Sequence, residues 1–439
     1  MKENKKSNLP DIKTSLPGPK SKLLIEKYIK YFGDTRRPNI TANKGYGCIS
    51  EDIDCNKFLI FSQAASITGY SVPEIVNASI DQLKKRIVRG IAPPLLDFTE
   101  IILGKLPAEL SQGRVNYVVS GTETVELAVS LARAYTKRPL ILSYHGSHHG
   151  YLGTTFQLSG DPRIKSSWLA KVSDVVYIPY PTCYRCPFKQ QYQDCNLLCL
   201  RYLEEVFETV ALPEQTAGLI IEPILVNGGV YAPPDEYMKG IKAICQKNGM
   251  LLIVDEVYTG IGKSGRFLAI DHWNVTPDLL CLGKAIGGGF PLAVVITKRE
   301  VTDNTRGGVR FTGTFAGNLV ACAAGIATIE YIEKNHLIEN AHKIGEYIIK
   351  SFKDMSKRKS LIGDVRGKGL LIGVELVKDK KTKKPASEDS SKIVKAAYEN
   401  GLLVRSVGRY RNVLLLGPPL TISLEQTEKA IEILDRLIN

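Results

Sequence analysis

The chain has 439 residues, of which 44% are hydrophobic and 23% are charged, and its formal net charge is +13. This composition is typical of a folded globular protein, and it excludes a disordered chain, a collagen-like fibre and a small disulfide-bonded scaffold. No apolar run approaches the length of about 18 residues that a membrane span needs, and the charged start lacks the apolar segment of a secretory signal. We therefore expect two or three domains, or one large and one small domain, in a cytoplasmic protein whose nine cysteines are mostly reduced.

The excess of basic residues has two interpretations. Lysines cluster at residues 2–22 and 378–384 and are otherwise scattered, and neither cluster resembles a nucleic-acid-binding motif. We expect a solvated surface that attracts small anions, with neither nucleic acid nor a membrane as a partner. A basic nucleic-acid-binding protein that has lost its catalysis is the alternative from another class.

The first 75 residues are expected to form an N-terminal arm and part of a small domain. Residues 1–20 are polar and rich in proline, which is typical of a mobile arm. The pattern then predicts a helix over Lys20–Phe32, followed by short strands and turns over residues 45–70.

Residues 76–330 alternate short apolar runs with longer amphipathic stretches. The run Val115–Val119 precedes a helical stretch from Thr122 to Tyr135. Three similar apolar runs follow, at Leu219–Ile221, Met250–Val254 and Leu279–Leu282. Continuous apolar strands that alternate with helices predict an α/β fold with a mostly parallel sheet.

Residues 331–439 change pattern again, to helix, then a strand-bearing segment at Gly367–Val377, then more helix. This order predicts a separate α+β C-terminal domain.

Two residues at the ends of predicted strands point to chemistry. Asp255 follows one apolar run, and Lys284 follows another in a turn that contains Gly287, Gly288 and Gly289. Ligands of parallel α/β sheets bind outside the carboxyl ends of the strands. A desolvated lysine there has a lowered pKa and attacks carbonyls, and an aspartate can hold a protonated pyridine nitrogen. Taken alone, each residue is better explained as a helix cap or a solvated loop residue, and only the pair is specific.

Three segments together resemble one enzyme family. Asp255-Glu256-Val257, Pro277-Asp278 and Gly283-Lys284 are similar to the motifs of the class III, fold type I aminotransferases, which use pyridoxal 5′-phosphate. The resemblance extends from about residue 17 to the end of the chain. It implies a seven-stranded sheet and a transaminase that moves an amino group from an amino acid or amine to a keto acid through a Schiff base at Lys284. Amino-acid racemases and dialkylglycine-type decarboxylases share this scaffold and stay open as alternatives.

A phosphate site is expected at Ser120-Gly121-Thr122, where a strand ends and a helix begins. Free N–H groups and the helix dipole suit a phosphate there, although a capped helix start explains the segment equally well. In the family, the matching Gly-Thr pair binds the cofactor phosphate. Thr314 matches a family threonine that reaches the phosphate of the neighbouring subunit, which implies a homodimer, alone or as a dimer of dimers, with active sites at the interface.

The residues around the cofactor ring depart in part from the family pattern. His148 precedes the pair His149-Gly150 and takes the position of an aromatic residue that stacks on the ring. Val257 matches the residue on the opposite face. Tyr258 replaces a glutamine that contacts the ring hydroxyl, and a phenol can also donate a hydrogen bond there.

The substrate residues depart most. Leu415 stands where many members carry an arginine for the substrate carboxylate, and Arg409 or Arg411 is expected to substitute. Asn227 stands where some members, in the segment beginning at Glu222, carry a glutamate that masks this arginine. Both changes together suggest a substrate that is held differently from a usual α-amino acid. Gln63 and the segment Gly363–Gly369, in turn, are similar to the dialkylglycine decarboxylases.

Two further motifs have competing explanations. Gly260–Gly265 fits the G-x-G-x-x-G nucleotide fingerprint, but Asp255 ends the strand too early for that site. Four cysteines have the spacing of metal ligands, and we expect either a packed surface loop without metal or a structural zinc, iron–sulfur or disulfide site. These cysteines are Cys183, Cys186, Cys195 and Cys199.

Overall fold

The computed structural model describes residues 9–33, 41–85, 88–161, 174–305 and 313–439. The strands are β1 (Ala42–Tyr46), β2 (Ile49–Asp52), β3 (Lys57–Ile60), β4 (Arg114–Val118), β5 (Leu140–Tyr144), β6 (Val175–Ile178), β7 (Thr216–Ile221), β8 (Leu251–Asp255), β9 (Leu279–Leu282), β10 (Ala293–Thr297), β11 (Ile362–Lys368), β12 (Leu371–Asp379), β13 (Lys384–Pro385), β14 (Leu402–Leu403), β15 (Arg405–Val407) and β16 (Val413–Leu416). The α-helices are α1 (Pro19–Phe32), α2 (Pro73–Lys84), α3 (Pro93–Gly104), α4 (Ala108–Ser111), α5 (Gly121–Thr136), α6 (Gly153–Leu158), α7 (Leu198–Thr209), α8 (Asp235–Lys247), α9 (Arg299–Asp303), α10 (Leu319–Lys334), α11 (Leu337–Arg358), α12 (Ser387–Glu399) and α13 (Leu424–Leu437).

A seven-stranded sheet lies at the centre of the fold, with the strand order β4-β10-β9-β8-β7-β5-β6. Only β10 runs antiparallel to its neighbours among the strands of this sheet. Leu219 and Ile221 belong to one hydrophobic core and Ile220 to another, so both faces of β7 are covered. Burial on both faces is the reason why these strands are continuous apolar runs. The predicted mostly parallel sheet is confirmed.

The strand register places the chemistry at one edge of this sheet. Ile221 of β7 pairs with Val254 of β8, and Asp255 of β8 pairs with Cys281 of β9. Because the three strands are parallel neighbours, the residues that follow them emerge side by side at their carboxyl ends.

The structure has two further, smaller sheets. The order in one is β1-β2-β3-β14, and in the other β11-β12-β16-β15 with β13 paired to β12. Parallel pairing of β14 with β3 joins the C-terminal segment to the N-terminal one. Within the ranges that the structure describes, no helix is both long and apolar enough to cross a membrane.

The start of the chain differs from the sequence expectation. Asp11 forms an antiparallel bridge with Lys57, and Asn56 Oδ1 accepts the backbone N–H groups of Lys13 (2.8 Å) and Thr14 (3.0 Å). These bonds dock residues 11–14 against the small sheet, so the prediction of a mobile arm is wrong for this stretch. Residues 1–8 of the predicted arm lie outside the described residues.

Candidate active site

Asp255 is buried at the carboxyl end of β8, with 4% of its surface exposed. Its Oδ2 accepts a hydrogen bond from Nδ1 of the buried His149 at 2.7 Å, and its Oδ1 accepts the backbone N–H of Val257 at 3.0 Å. Two donors therefore fix the carboxylate in one orientation. His149 had no predicted role, because its partner lies 106 residues away in the chain.

Lys284 follows β9 directly after Gly283 and adopts a left-handed backbone conformation with φ of 45°. Such strain in a residue other than glycine is concentrated at functional sites. The side chain is exposed at the carboxyl edge of the sheet in this single chain, and its Nζ lies 4.9 Å from the centre of the Tyr258 ring. The surrounding protein displaces water and lowers the pKa of Lys284 below its ordinary value, although Asp255 and Glu222 oppose this effect. A lysine of this kind presents a neutral, nucleophilic amine more readily.

Glu222 is the first residue after β7 and is almost completely buried. Its Oε1 accepts the backbone N–H of His148 at 2.8 Å. Burial raises the pKa of Glu222 to about 7. Burial also lowers the pKa of His148 to about 4, so this imidazole is neutral at physiological pH. Its ring packs edge-on against Tyr151, with the ring centres 4.8 Å apart.

Helix α5 begins beside the lysine turn. Ser120 caps it in a capping box with Glu123, whereas the N–H groups of Gly121 and Thr122 have no partner in the described part of the chain. A Cβ atom on Gly121 would lie 2.4 Å from Val257 Cγ1, so only glycine allows this approach. The free N–H groups form an anion site of the predicted type.

Arg405 is a further basic residue near this site, and no sequence motif predicted it. It lies on β15, where its Nη2 donates to the Tyr258 hydroxyl at 3.0 Å. In the ladder between β15 and β16, Arg405 pairs directly with Leu415. Among the described residues, no carboxylate lies within ion-pair distance of Arg405. The arginine absent at position 415 is thus matched by one on the neighbouring strand.

Three other predicted substrate residues lie elsewhere. Asn227 and Arg409 line a cavity of about 570 Å³, and neither Lys284 nor Asp255 belongs to the described residues of its wall. Arg411 is exposed two residues beyond Arg409.

The remaining predicted residues are tied to other parts of the fold. Gln63 donates to the Tyr70 hydroxyl at 3.1 Å, and its backbone N–H donates to the carbonyl of Gly417. Arg366, in the segment Gly363–Gly369, donates through Nε to the carbonyl of Gly229 at 3.0 Å. Thr314 is exposed on a turn, without a hydrogen bond to the part of this chain that the structure describes.

The four clustered cysteines line one small apolar pocket and are free thiols, as are the other five. No three His, Cys, Asp or Glu side chains in the described ranges are arranged to hold a metal ion. The predicted metal or disulfide alternative therefore has no support from this geometry.

The glycine-rich segment 260–265 is structural. No helix starts at these glycines, and Lys263 is buried, where its Nζ donates to the carbonyls of Gly417 (2.9 Å) and Pro418. A lysine occupied in this way is not available to a nucleotide.

The cleft residues fit pyridoxal 5′-phosphate, the cofactor that the sequence resemblance implies. A fixed buried carboxylate, a nucleophilic amine and free helix N–H groups lie together, and these three groups suit a pyridine nitrogen, an aldehyde and a phosphate. Because residue 121 is glycine, the start of α5 can lie in close contact with Val257.

Comparisons with known proteins agree with this chemistry. A model of the family described as aminotransferase class-III matches residues 32–438. The leucine/methionine racemase of Thermococcus litoralis is 36% identical over 423 residues, which cover 94% of this chain and 95% of the racemase. The 4-aminobutyrate aminotransferase GabT of Escherichia coli is 33% identical over 403 residues, 90% of this chain and 93% of GabT.

Solved structures agree as well. A PLP-bound amine transaminase from an uncultivated Pseudomonas species is 29% identical and matches with a TM-score of 0.86, over 93% of this chain and 97% of that chain. Since the family model spans nearly the whole sequence, the chain belongs to the class III aminotransferases, fold type I enzymes that depend on pyridoxal 5′-phosphate.

Proposed function

We propose that this enzyme is an aminotransferase that moves an amino group from an amino acid or amine to a keto acid. The observation that carries the proposal is the placement of Lys284, which follows β9 with φ of 45° and holds its Nζ 4.9 Å from the Tyr258 ring, within electrostatic reach of Asp255 and Glu222. When bound, the cofactor holds the substrate nitrogen covalently and takes up the electron pair that is released when a bond at the substrate Cα breaks.

Each of these side chains would have one role in the reaction. Asp255, oriented by His149, holds the pyridine nitrogen, and Lys284 Nζ carries a proton to and from the substrate. Ser120, Gly121 and Thr122 hold the phosphate at the start of α5.

Three side chains would hold the pyridine ring in this proposal. Val257 packs against the start of α5, and the neutral His148 imidazole can stack without competing for a proton. Tyr258 remains the partner of the ring hydroxyl, with its own hydroxyl held by Arg405.

Arg405 is the residue we propose for the substrate carboxylate. A guanidinium offers a planar pair of donors to a carboxylate, and this one has no competing carboxylate among the described residues. Arg409, Arg411, Gln63 and Asn227 stay predictions for other substrate contacts.

A homodimer with active sites at the interface is part of the proposal. Four large apolar side chains near the site are exposed. Some lie close to Lys284 or Thr314 in the sequence, and Tyr151 packs against the His148 ring. These are Tyr151, Leu152, Phe290 and Phe315, with 64%, 70%, 38% and 61% of their surface exposed. A partner subunit would cover them and bring its own Thr314 to the phosphate. The free thiols are in keeping with the cytoplasmic location predicted from the sequence.

Racemisation of an amino acid is the second candidate. The similarity to a leucine/methionine racemase at 36% identity favours it. A racemase binds substrates of only one carbon skeleton. In this chain Leu415 and Asn227 stand where some family members carry a carboxylate-binding arginine and the glutamate that masks it, and the loss of this pair is consistent with a single kind of substrate.

The test replaces Lys284 with alanine, with Lys239→Ala on the exposed face of α8 as the control. We expect Lys284→Ala to lose both turnover and the borohydride-reducible link to the cofactor, and Lys239→Ala to keep both. Supplying single amino acids with and without a keto acid separates the candidates, because only transamination consumes the acceptor. Full activity of Lys284→Ala would refute the proposal.

A further inference from the structure

The cavity of about 570 Å³ has walls that come from two sheets. On one side, His145 and Pro179 are the first residues after β5 and β6, and Leu225 follows β7. On the other side lie Glu375 of β12 and most of the turn between β15 and β16. Cavities of about 300–1,000 Å³ are typical of sites that bind small molecules.

The strand order separates this cavity from the cofactor site. In the central sheet, β9, which precedes Lys284, is followed by β8, β7, β5 and β6. The step from β9 to β5 spans three strand spacings of about 4.8 Å each, or about 14 Å in all. His145 and Pro179 therefore lie well away from Lys284 along the carboxyl edge of the sheet. A small molecule in this cavity leaves the place of the cofactor free.

The carboxylates of the wall already have partners. Glu375 Oε1 accepts a hydrogen bond from Nε of Arg185, and Oε2 lies 2.7 Å from Nη2 of Arg366 and accepts the Tyr231 hydroxyl at 3.0 Å. Two guanidinium groups thus neutralise this one carboxylate. Asp161, the other carboxylate of the wall, is 6% exposed and has an interaction of its own. The wall therefore offers little to a cationic ligand.

Two guanidinium groups of the wall keep donors without acceptors. Arg185 donates from Nε to Glu375, and its buried Nη2 has no hydrogen-bond partner in the described part of the chain. Arg409 is exposed, and no carboxylate of the described ranges lies within ion-pair distance of it. The guanidinium carbons of Arg185 and Arg409 lie 5.6 Å and 5.5 Å from the centre of the Tyr410 ring. Both cations therefore meet at the Tyr410 part of the wall, where they suit an anionic group.

Much of the remaining wall is aromatic or apolar. Tyr180 is buried, and its hydroxyl donates to two backbone carbonyls at 3.0 Å and 3.2 Å, so only its ring is available to a ligand. Pro187, Leu225 and Val413 add apolar surface, and the Tyr410 ring is 42% exposed. These side chains suit a flat apolar body beside the anionic group.

The turn that carries Arg409 and Tyr410 is fixed to the wall. The backbone N–H of Gly408 donates to the carbonyl of Asn227 at 2.9 Å, and the N–H of Arg411 donates to the Gly408 carbonyl at 3.0 Å. Gly408 has φ of 85°, which glycine adopts without strain. A turn that is already held in place loses little further freedom when a ligand binds.

We propose that this cavity is a second binding site and that its ligand is a small aromatic carboxylate. The guanidinium groups of Arg185 and Arg409 hold the carboxylate, and the aromatic ring packs against Tyr180 and Tyr410. Arg409, a predicted substrate residue, then serves this second ligand instead. Because the walls come from two sheets, the ligand ties the central sheet to the sheet of β12 and β16. The inference goes beyond the proposed function and does not rest on it.

The test measures binding to the holoenzyme by equilibrium dialysis, before and after treatment with aminooxyacetate. This carbonyl reagent reacts with the cofactor and fills the site at Lys284. The probes are phenylacetate, benzoate, the neutral amide phenylacetamide and inorganic phosphate. We expect one saturable site per chain for the aromatic carboxylates, unchanged by the treatment. Phenylacetamide and phosphate should each bind about tenfold more weakly or worse, since each lacks one half of the ligand.

Variants locate the ligand. Arg409→Met should weaken phenylacetate binding about tenfold or more, and Tyr410→Ala should weaken it severalfold. Arg185→Lys keeps a charge beside Glu375 but lacks the planar pair of donors, so it should also bind phenylacetate more weakly. Arg299→Met, at the exposed start of α9, is the matched control and should bind as the wild type does. Arg409 and Tyr410 are exposed, so their variants should fold, and urea unfolding checks this.

Four results would overturn the second site. These are equal affinity for phenylacetate and phenylacetamide, tighter binding of phosphate than of either carboxylate, unchanged affinity in Arg409→Met, and no saturable binding of either carboxylate at millimolar concentration. Loss of phenylacetate binding after aminooxyacetate treatment would overturn it as well, because the ligand would then lie at the cofactor. None of these results depends on which reaction Lys284 catalyses.

Discussion

The bond between His149 and Asp255 leads to a quantitative prediction. Both side chains are buried, with exposed fractions of 0% and 5%, and the 2.7 Å bond is one of only two that the carboxylate accepts among the described residues. A hydrogen bond to a charged group contributes about 1.5–3 kcal/mol, and its loss also leaves a buried oxygen without a donor. His149→Leu removes the donor and keeps the site apolar. We expect its affinity for the cofactor to fall by about 10- to 150-fold, which is the same free energy expressed as a dissociation constant.

The measurement is the equilibrium dissociation constant of pyridoxal 5′-phosphate, with urea unfolding of the cofactor-free protein beside it. His149→Asn is the matched variant, because its amide nitrogen can occupy the place of Nδ1 and should restore most of the affinity. A His149→Leu protein that binds the cofactor as tightly as wild type would show that His149 does not orient Asp255. Equal losses in the leucine and asparagine variants would show that imidazole packing matters and the bond does not.

Three further predictions concern other parts of the site. Burial lowers the pKa of Lys263 to about 7, so between pH 7 and its ordinary value of 10.5 the unfolded chain binds more protons than the folded one. The free energy of unfolding should then rise by up to about 1.4 kcal/mol per pH unit, and Lys263→Met should remove this rise in urea titrations at pH 7–9. Equal slopes of unfolding free energy against pH in wild type and Lys263→Met would contradict the lowered pKa of Lys263. Gly121→Ala places a Cβ 2.4 Å from Val257 Cγ1 and should weaken cofactor binding about tenfold or more. The double variant with Val257→Ala should recover the binding. Normal binding by the single variant would show that the start of α5 has room for a Cβ atom. Arg405→Met should lower kcat/KM for phenylglycine by about 10- to 100-fold, whereas kcat/KM for benzylamine, which lacks the carboxylate, should change little. Equal losses for both substrates would argue against a carboxylate contact. Arg201→Met on α7 is the control.

The elements of the central sheet could be predicted because their signal is local. The run Leu279–Leu282 is β9 as it stands, and Met250–Val254 differs from β8 by one residue at each end. Both strands are buried along their whole length, and burial on two faces leaves an uninterrupted apolar run in the sequence. The division of the chain into domains stays a prediction, and α10 runs across the expected boundary at residue 330.

The contacts that complete the site could not be predicted, because they join residues far apart in the chain. The bond from His149 to Asp255 spans 106 residues, and the bond from Arg405 to Tyr258 spans 147. No periodicity or spacing records which loop meets which strand end. The docking of residues 11–14 on Asn56 has the same origin, since a polar, proline-rich segment has no apolar pattern that marks its partner.

The pairing of Arg405 with Leu415 bears directly on the substrate. Directly opposed residues of an antiparallel pair project from the same face, with Cβ atoms about 5 Å apart, and an arginine side chain is long enough to bridge that distance. A leucine at position 415 therefore does not by itself argue against a substrate carboxylate, because the cation has only to arise from the adjacent strand. Arg405 at this position therefore remains our proposal for the carboxylate contact, with its guanidinium held by the Tyr258 hydroxyl.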